Sequence, residues 1–309
     1  MTLRRTALAT LLPLLAGCTI ADVTVPAGED VLVVESVLRT DQERQFLLLH
    51  RTIADGAGRA EHDAEVTVTD QFGVVFPFRE TVGGCVFIYP AYLQSDSLRV
   101  DGTCYMSQDI VWVRPGVEYR LSVRTTRGEV ARGRTVVPEP FALVDVPYSA
   151  QQDPRTVPAC EIRPDTQLEL RWTRSEGAWG YVSPLLVHGL GTALGMPAPS
   201  PLELVGVSVS AADTSVLLPA EFGVFERFQY DQDLLRALQG GFPRGVFANL
   251  VVAAADRNYI NSVRGGSFNP SGQARISSIG GDGVGVFGSL VPLRADIIAQ
   301  NPSSVPDCG

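Results

Sequence analysis

The sequence is short of charged residues, and of basic ones in particular. Asp, Glu, Lys and Arg make up 19% of the 309 residues, below the roughly 25% that is typical of soluble domains. The 25 basic residues are outnumbered by 34 acidic ones, which gives a formal net charge of −9 at pH 7. Because binding to a phosphate backbone requires a basic footprint, this balance argues against nucleic acid as a partner.

The sequence also lacks the motifs of common catalytic and metal sites. The histidines His50, His62 and His188 are separated by 62 − 50 = 12 and 188 − 62 = 126 residues, which fits no paired-histidine metal signature. No G-x-S-x-G nucleophile elbow occurs, and the cysteine spacing matches no C-x-x-C metal or redox motif. We therefore expect structural or surface histidines, no metal, no cofactor and no catalytic residue that the sequence can name.

Three segments resemble ligand-binding motifs in sequence alone, and we interpret each of them as a structural element and not as a site. Residues 283–288 (GVGVFG) fit G-x-G-x-x-G, but Pro292 follows where a dinucleotide site needs a helix, so a strand with closely approached glycines is expected. Asp231 and Asp233 lack EF-hand spacing and favour the cap of a helix. The glycine-rich residues 189–195 are interpreted as a loop.

The start of the chain carries a targeting signal. An apolar stretch at residues 7–15 is too short to span a bilayer, and Leu15-Ala16-Gly17-Cys18 follows it. This run resembles the lipobox of bacterial lipoproteins. The resemblance implies a signal peptide at residues 1–17, a lipid on Cys18 and a tether at residues 18–30. The alternative is a plain signal peptide with a chance cysteine.

Four further cysteines are expected to form disulfides, because an exported chain matures in an oxidising compartment. Three pairings are possible. We favour Cys85 with Cys104, which closes 19 residues, and Cys160 with Cys308, which ties the C-terminal residues to the second module. In the chain-entropy model such closures contribute on the order of 3 and 5 kcal/mol.

The body of the chain has the two-residue period of β-strands. Val66 and Val68 alternate with threonines, and Tyr119, Leu121 and Val123 alternate with polar residues. Turn signals separate these segments, as in a meander or sandwich. We therefore predict an all-β fold whose first module is a β-sandwich over residues 31–138.

A second β-rich module is expected over residues 145–309, because the prolines of Val136-Val137-Pro138-Glu139-Pro140 interrupt the strand pattern. Strands are predicted at residues 202–210 and 246–253. Two short helices are predicted at Asp231–Leu238 and Asp256–Val263, each with an aspartate suited to the N-cap.

Longer runs in both modules resemble known families. Residues 32–38, 64–73 and 115–123 are similar to immunoglobulin-like modules of the carboxypeptidase-regulatory type, and residues 168–182 resemble the opening of a fibronectin type III sandwich. Together with the lipobox and two C-terminal runs, these segments resemble a domain-of-unknown-function family of bacterial lipoproteins that accompany TonB-dependent receptors. The C-terminal runs are residues 256–261 and 279–288.

The resemblance implies a lipid-anchored envelope protein that is a non-catalytic binding or accessory component, with a TonB-dependent receptor as its partner. Thr19 after Cys18 implies, by resemblance to the enterobacterial sorting rule, the outer membrane of a diderm bacterium. Two alternatives remain open: an envelope hydrolase that acts on glycans or peptides through unidentified carboxylates, and a structural or adhesive surface module. Tyr89 and Tyr92, beside Cys85, are candidates for contact with a partner or a glycan, although a core strand explains them as well.

Overall fold

The computed structural model describes residues 30–52, 59–82, 85, 102–144, 157, 159–208, 210–219, 232–264, 276–301 and 307–308. These residues form fifteen strands and three short helices, and the predicted all-β sandwich fold is confirmed. Cys18, Tyr89, Tyr92 and Asp231 lie outside the described residues. No helix among the described residues combines the length and the apolar character needed to cross a membrane.

The first module consists of seven strands whose inward side chains alternate with polar outward ones, as the two-residue period predicts. Paired antiparallel neighbours follow the order β1-β2-β5-β4-β3-β6-β7. The inward valines, leucines and tyrosines form one buried cluster, which holds the strands by removing apolar surface from water. The strands are β1 (Leu32–Arg39), β2 (Phe46–Arg51), β3 (Glu65–Asp70), β4 (Val75–Thr81), β5 (Thr103–Ser107), β6 (Glu118–Arg124) and β7 (Val130–Val136).

The second module contains the remaining strands and all three helices. A central antiparallel group, β11-β10-β13-β15, carries most of its core, and β9 pairs separately with β12. The strands are β8 (Ala159–Ile162), β9 (Leu168–Arg171), β10 (Gly180–His188), β11 (Leu202–Val207), β12 (Ser215–Leu218), β13 (Phe247–Ala255), β14 (Ile279–Gly281) and β15 (Gly283–Ala299). The helices are α1 (Leu190–Leu194), α2 (Gln232–Leu238) and α3 (Arg257–Arg264).

Strand β15 connects the two modules, which the sequence did not predict. Its first half pairs in parallel with β1, from Leu32 opposite Gly283 to Arg39 opposite Leu290, and its second half pairs antiparallel with β13. Gly285 has φ +129°, and a Cβ there would lie 2.0 Å from the Val34 carbonyl oxygen. The predicted strand with a closely approached glycine is therefore present. The boundary at residues 138–145 stays a prediction, but β14 and the first half of β15 pair with strands of the first module.

The helix predictions succeed at α2 and α3 and fail at residues 189–195. Asp256 accepts a hydrogen bond from the Tyr259 backbone N–H at 2.9 Å and so caps α3 as expected. The glycine-rich residues interpreted as a loop contain helix α1 instead. Gly189 and Gly195 flank this helix in left-handed conformations that glycine adopts without strain, so they bound the helix and do not exclude it.

Two disulfides are formed, and their pairing is the one we favoured among the three possibilities. Cys85 is bonded to Cys104 in β5, and Cys160 in β8 is bonded to Cys308. The Cys308 backbone N–H also donates to the Glu161 carbonyl oxygen at 2.8 Å. The second disulfide therefore ties residues near the C-terminus to the sheet of the second module.

Candidate functional site

The first module has two distinct ends, which the strand register identifies. Glu65 lies opposite Arg124, and Asp70 lies opposite Tyr119, so β3 and β6 share the same two ends. Asp30 accepts a hydrogen bond at 3.1 Å from Arg127, which follows β6 in the turn to β7. Asp30 therefore marks one end, and the β3–β4 turn lies at the other, about 17 Å away over five strand steps.

The far end begins with a turn built on the buried carboxylate of Asp70. One carboxylate oxygen accepts hydrogen bonds from the backbone N–H groups of Phe72 and Val74, both at 2.9 Å. Gly73 has φ +88°, which a glycine adopts at little cost. Asp70 is only 3% exposed, whereas the Phe72 side chain at the tip of the turn is exposed. The turn thus presents an aromatic ring on a fixed backbone.

A second segment, residues 108–114, crosses the same end of the module. Its backbone donates hydrogen bonds of 2.9 Å from Gln108 to the Pro77 carbonyl and from Val111 to the Glu43 carbonyl. Because the segment is extended, Val111 and a second valine enter the core while Ile110 and Trp112 face outward. We call the resulting surface the apolar end. Its five members are 49–63% exposed: Phe72, Val74, Val75, Ile110 and Trp112.

Arg114 joins the two parts of the apolar end. Its guanidinium lies 3.1 Å from the second carboxylate oxygen of Asp70 and 4.8 Å from the centre of the Phe72 ring. The Arg114 backbone N–H donates to the Tyr119 hydroxyl at 3.0 Å. A cation over an aromatic face is attracted by the ring quadrupole, so Arg114 orders Phe72 while leaving the outer face of the ring exposed.

The charged clusters elsewhere in the module have structural partners. Arg51 is 1% exposed and contacts the carboxylates of Glu61 at 2.7 Å, Glu129 and Asp30. Its hydrogen bond lowers the pKa of Glu129 below the ordinary value. This network closes the Asp30 end of the module, and buried charges of this kind are retained only when they are paired.

A second buried cluster lies where the modules meet. Asp256 accepts a 2.7 Å hydrogen bond from the Thr135 hydroxyl of β7 and a 3.1 Å bond from the Ser289 backbone of β15. Burial raises the pKa of the Asp256 carboxyl. Asp256 is 4% exposed and Ser289 is fully buried, so the cluster joins β7, β15 and α3 and has no access to a substrate.

The histidines form ordinary polar contacts. The His50 ring lies 3.1 Å from the Arg51 carbonyl, the His62 ring lies 3.4 Å from Glu80, and the His188 ring lies 2.9 Å from Asn249. In the part of the chain that the structure describes, no group of three or more His, Cys, Asp or Glu side chains is arranged to hold a metal ion.

Comparison with protein families gives one match. The model for a domain of unknown function, DUF4249, matches residues 19–181, which is 181 − 19 + 1 = 163 of the 309 residues. The chain belongs to the DUF4249 family. The expectation of a family of unknown function is therefore confirmed. No curated protein matches this DUF4249 chain.

Three solved structures are distantly similar to the chain. A DUF4785 family protein from Legionella pneumophila is 11% identical over 71% of this chain and 51% of that one, with a TM-score of 0.21. Escherichia coli alpha-2-macroglobulin activated by porcine elastase is 10% identical over 87% of this chain, with a TM-score of 0.20. The tandem V-type regions of a v-region-containing chitin binding protein are 8% identical, covering 72% of this chain and 92% of that one, at a TM-score of 0.17. The chain spans about half of the Legionella protein (51%) and about a quarter of the E. coli protein (23%).

The sequence-predicted site residues and the apolar end do not coincide. Cys18, Tyr89 and Tyr92 lie outside the described residues. The apolar end was not predicted, since residues 64–73 were interpreted only as part of an immunoglobulin-like module. Ile110 and Trp112 alternate with valines, so both faces of that segment are apolar and one of them must face solvent. That pattern indicates that the segment exposes an apolar face, although it does not say which of the two faces is exposed.

Proposed function

We propose that this DUF4249 protein is a lipid-anchored, non-catalytic accessory protein of the outer membrane of a diderm bacterium. Its partner is a TonB-dependent receptor, which it contacts through the apolar end. The lipobox at residues 15–18 and Thr19 support the anchor and the address. The two disulfides fit an oxidising compartment.

The observation that carries the binding role is the exposure of Phe72 and Trp112 on a rigid frame. Their side chains are 63% and 60% exposed, while Asp70 and Arg114 fix the turn beneath Phe72. Single exposed apolar side chains are common on protein surfaces, but several of them at one end of a module suggest a contact site. Tryptophan and arginine are also the residues that most often dominate binding energy at interfaces.

The position of the apolar end suits an anchored binding protein. Asp30 ends the proposed tether, and it lies at the opposite end of the first module from Phe72. The lipid and the partner would therefore be held at separate ends of one sandwich. An anchored chain could then bind its partner without withdrawing its lipid.

The buried carboxylates support a binding role over hydrolysis. Asp70 holds a turn, Glu61 pairs with Arg51, and Asp256 caps a helix. A glycosidase needs two carboxyl groups roughly 5 to 10 Å apart on either side of an accessible substrate. These three groups instead serve the fold.

Co-purification from native membranes in mild detergent tests the proposal. Mass spectrometry should identify a TonB-dependent receptor with the wild-type protein, and the intact mass should show acyl chains on Cys18. Because a buried aromatic hot spot contributes 2 kcal/mol or more, Trp112→Ser should reduce the recovered receptor by on the order of thirtyfold. Trp179→Ser is the matched control, since Trp179 is 47% exposed and stacks on Arg257 in the second module.

The two parts of the proposal can fail separately. A Cys18 without acyl chains would refute the anchor. Recovery of the receptor that is equal for wild type, Trp112→Ser and Trp179→Ser would refute the apolar end as its binding site. Both tryptophan variants should stay folded, because about half or more of each side chain is exposed.

A further inference from the structure

The outward face of four neighbouring strands, β4-β3-β6-β7, is basic although the chain as a whole is acidic. Strand alternation directs five exposed arginines to this face, and we call the surface the arginine face. Glu65 and Glu118 are the acidic residues that these strands direct to the same side, so the face carries a charge of 5 − 2 = +3. The five arginines are Arg79, Arg120, Arg124, Arg132 and Arg134.

The register places like charges side by side on this face. Arg120 in β6 lies directly opposite Arg134 in β7, where Cβ atoms are about 4.5–5.5 Å apart and like charges oppose folding. Glu118 contacts both guanidinium groups, at 2.8 Å and 3.5 Å. One carboxylate thus serves two arginines whose side chains are 67% and 72% exposed.

The remaining arginines of the face are less closely paired. Glu65 lies opposite Arg124 in the register, but no described carboxylate forms an ion pair with Arg79, Arg124 or Arg132. Between the arginines lie short hydroxyl side chains, since Ser122 is opposite both Arg132 and Thr67. The face therefore combines guanidinium groups and hydroxyls with a few apolar side chains at the ends of the strands, among them the exposed Val75 and Val136.

The chemistry of the arginine side chain fits a phosphate ligand. All 25 basic residues of the chain are arginine and none is lysine. The guanidinium is a planar fork with paired donors that match two oxygens of a phosphate, and it is more weakly hydrated than an ammonium group. A row of such groups binds a surface that presents many phosphates.

The tether of the proposed anchor joins the fold beside this face. Asp30 contacts Arg127 at 3.1 Å and Arg59 at 2.7 Å, and Arg127 lies in the turn between β6 and β7. Cys18 precedes Asp30 by 30 − 18 = 12 residues, which reach at most about 40 Å when fully extended. A seven-residue strand such as β6 is roughly 23 Å long. The whole face therefore lies within reach of the membrane that holds the lipid.

We propose that the arginine face docks on a membrane surface of anionic, phosphate-bearing lipid headgroups. The proposal rests on the lipid anchor at Cys18, which would keep this face close to such a surface. Docking lays β3, β4, β6 and β7 along the membrane. The apolar end then points along the membrane plane, where a membrane-embedded receptor would meet it.

Vesicle flotation tests this proposal without depending on acylation. The full chain with Cys18→Ser is incubated with phosphatidylcholine vesicles that contain or lack 30% phosphatidylglycerol, and residues 1–17 are identical in every variant. Each arginine near an anionic surface contributes on the order of fivefold in affinity. Arg124→Gln with Arg132→Gln should therefore weaken binding to the anionic vesicles by on the order of 25-fold, while binding to neutral vesicles stays unchanged.

A matched variant controls for net charge. Arg163→Gln with Arg174→Gln removes the same charge from exposed positions of the second module and should leave vesicle binding within about twofold of the Cys18→Ser chain, since its arginines lie off the docking face. Equal loss in both double variants would overturn the proposal, because it would show a non-specific effect of net charge. So would equal binding to neutral and anionic vesicles, which would show apolar insertion.

Competition separates a lipid surface from other phosphate sources. Millimolar inorganic phosphate should displace little of the bound chain, because a single ion engages few of the five arginines. Complete displacement by inorganic phosphate at that concentration would assign the face to a small soluble anion and overturn membrane docking. Because every chain in the vesicle measurements carries Cys18→Ser, their outcome does not depend on whether native Cys18 is acylated. An unacylated native Cys18 would refute the anchor while leaving the vesicle measurement intact.

Discussion

Replacing Arg51 with methionine should destabilise the fold by about 3–5 kcal/mol, because Glu61 would stay buried without its charged partner. Arg51 is 1% exposed in its side chain and Glu61 is 6% exposed, whereas Glu129 and Asp30 are 26% and 34% exposed. The two more exposed carboxylates can turn toward water after the substitution. Glu61 cannot, and methionine fills most of the arginine volume, so the loss reports the unpaired charge more than a cavity.

A second substitution isolates the electrostatic part. Glu61→Gln in the Arg51→Met background should recover about half of the loss, since a buried amide without a partner costs about 1–3 kcal/mol. Arg59→Met is the control, because Arg59 contacts Asp30 at 2.7 Å but its side chain is 53% exposed. That exposed pair should contribute about 0–1 kcal/mol.

Urea unfolding at pH 7 with both disulfides intact measures these differences by tryptophan fluorescence and circular dichroism. Coincidence of the two signals checks that the transition is cooperative. An Arg51→Met loss below about 1 kcal/mol, or one equal to that of Arg59→Met, would contradict the buried-charge argument. It would mean that Glu61 reaches water in the variant.

The same network gives the direction of a pH effect. Arg51 lowers the pKa of Glu129 below its ordinary value of 4.5. A carboxyl with a lowered pKa contributes stability that is present above the unfolded-state pKa and is lost as the pH falls through the folded-state pKa. Acidification below 4.5 should therefore destabilise the wild type more steeply than Arg51→Met.

Two further substitutions test the contacts that join the modules. Gly285→Ala places a Cβ 2.0 Å from the Val34 carbonyl oxygen at φ +129° and should lower the free energy of unfolding, measured in urea, by on the order of 3 kcal/mol. The control Gly128→Ala, at φ +84° in open space, should cost about 1 kcal/mol. Equal losses would contradict the close approach of β15 to β1. Burial raises the pKa of Asp256 above 3.8. The wild type should therefore lose stability relative to Asp256→Asn as the pH rises from 3.8 through the folded-state pKa. If the difference in unfolding free energy between the two proteins does not change with pH, a charged buried cap is contradicted.

Local features of the fold could be predicted from the sequence because they depend on neighbouring residues. The alternation of Tyr119, Leu121 and Val123 with polar residues assigns a strand and its inward face within seven positions. The Asp256 cap could be predicted because it depends only on Asp256 and the first turn of the helix that follows it. The disulfide pairing was favoured because each bond stays within one predicted module.

The candidate surfaces could not be predicted in the same way, since they depend on which strands become neighbours. Arg120 and Arg134 are 14 positions apart, and only the β6–β7 register places them opposite each other. The net charge of −9 suggests an acidic surface instead, because a total over the whole chain does not show a local cluster of basic residues. At Trp112 the difficulty is different: valines precede and follow it, and periodicity alone cannot say which apolar face enters the core.

Strand β15 explains why the two modules cannot be treated as independent units. Leu32 pairs with Gly283, a separation of 283 − 32 = 251 residues, and Phe287 from β15 is fully buried in the core that the first module shares. Closing so long a loop carries an entropic cost. The pairing of β15 with β1 along its first half and with β13 along its second half offsets this cost. A chain that ends at residue 138 has no strand to pair with the free edge of β1, and an unpaired edge is a site of association. The apolar end and the arginine face both belong to a module that is complete only with its C-terminal strand, so their binding properties depend on the whole chain.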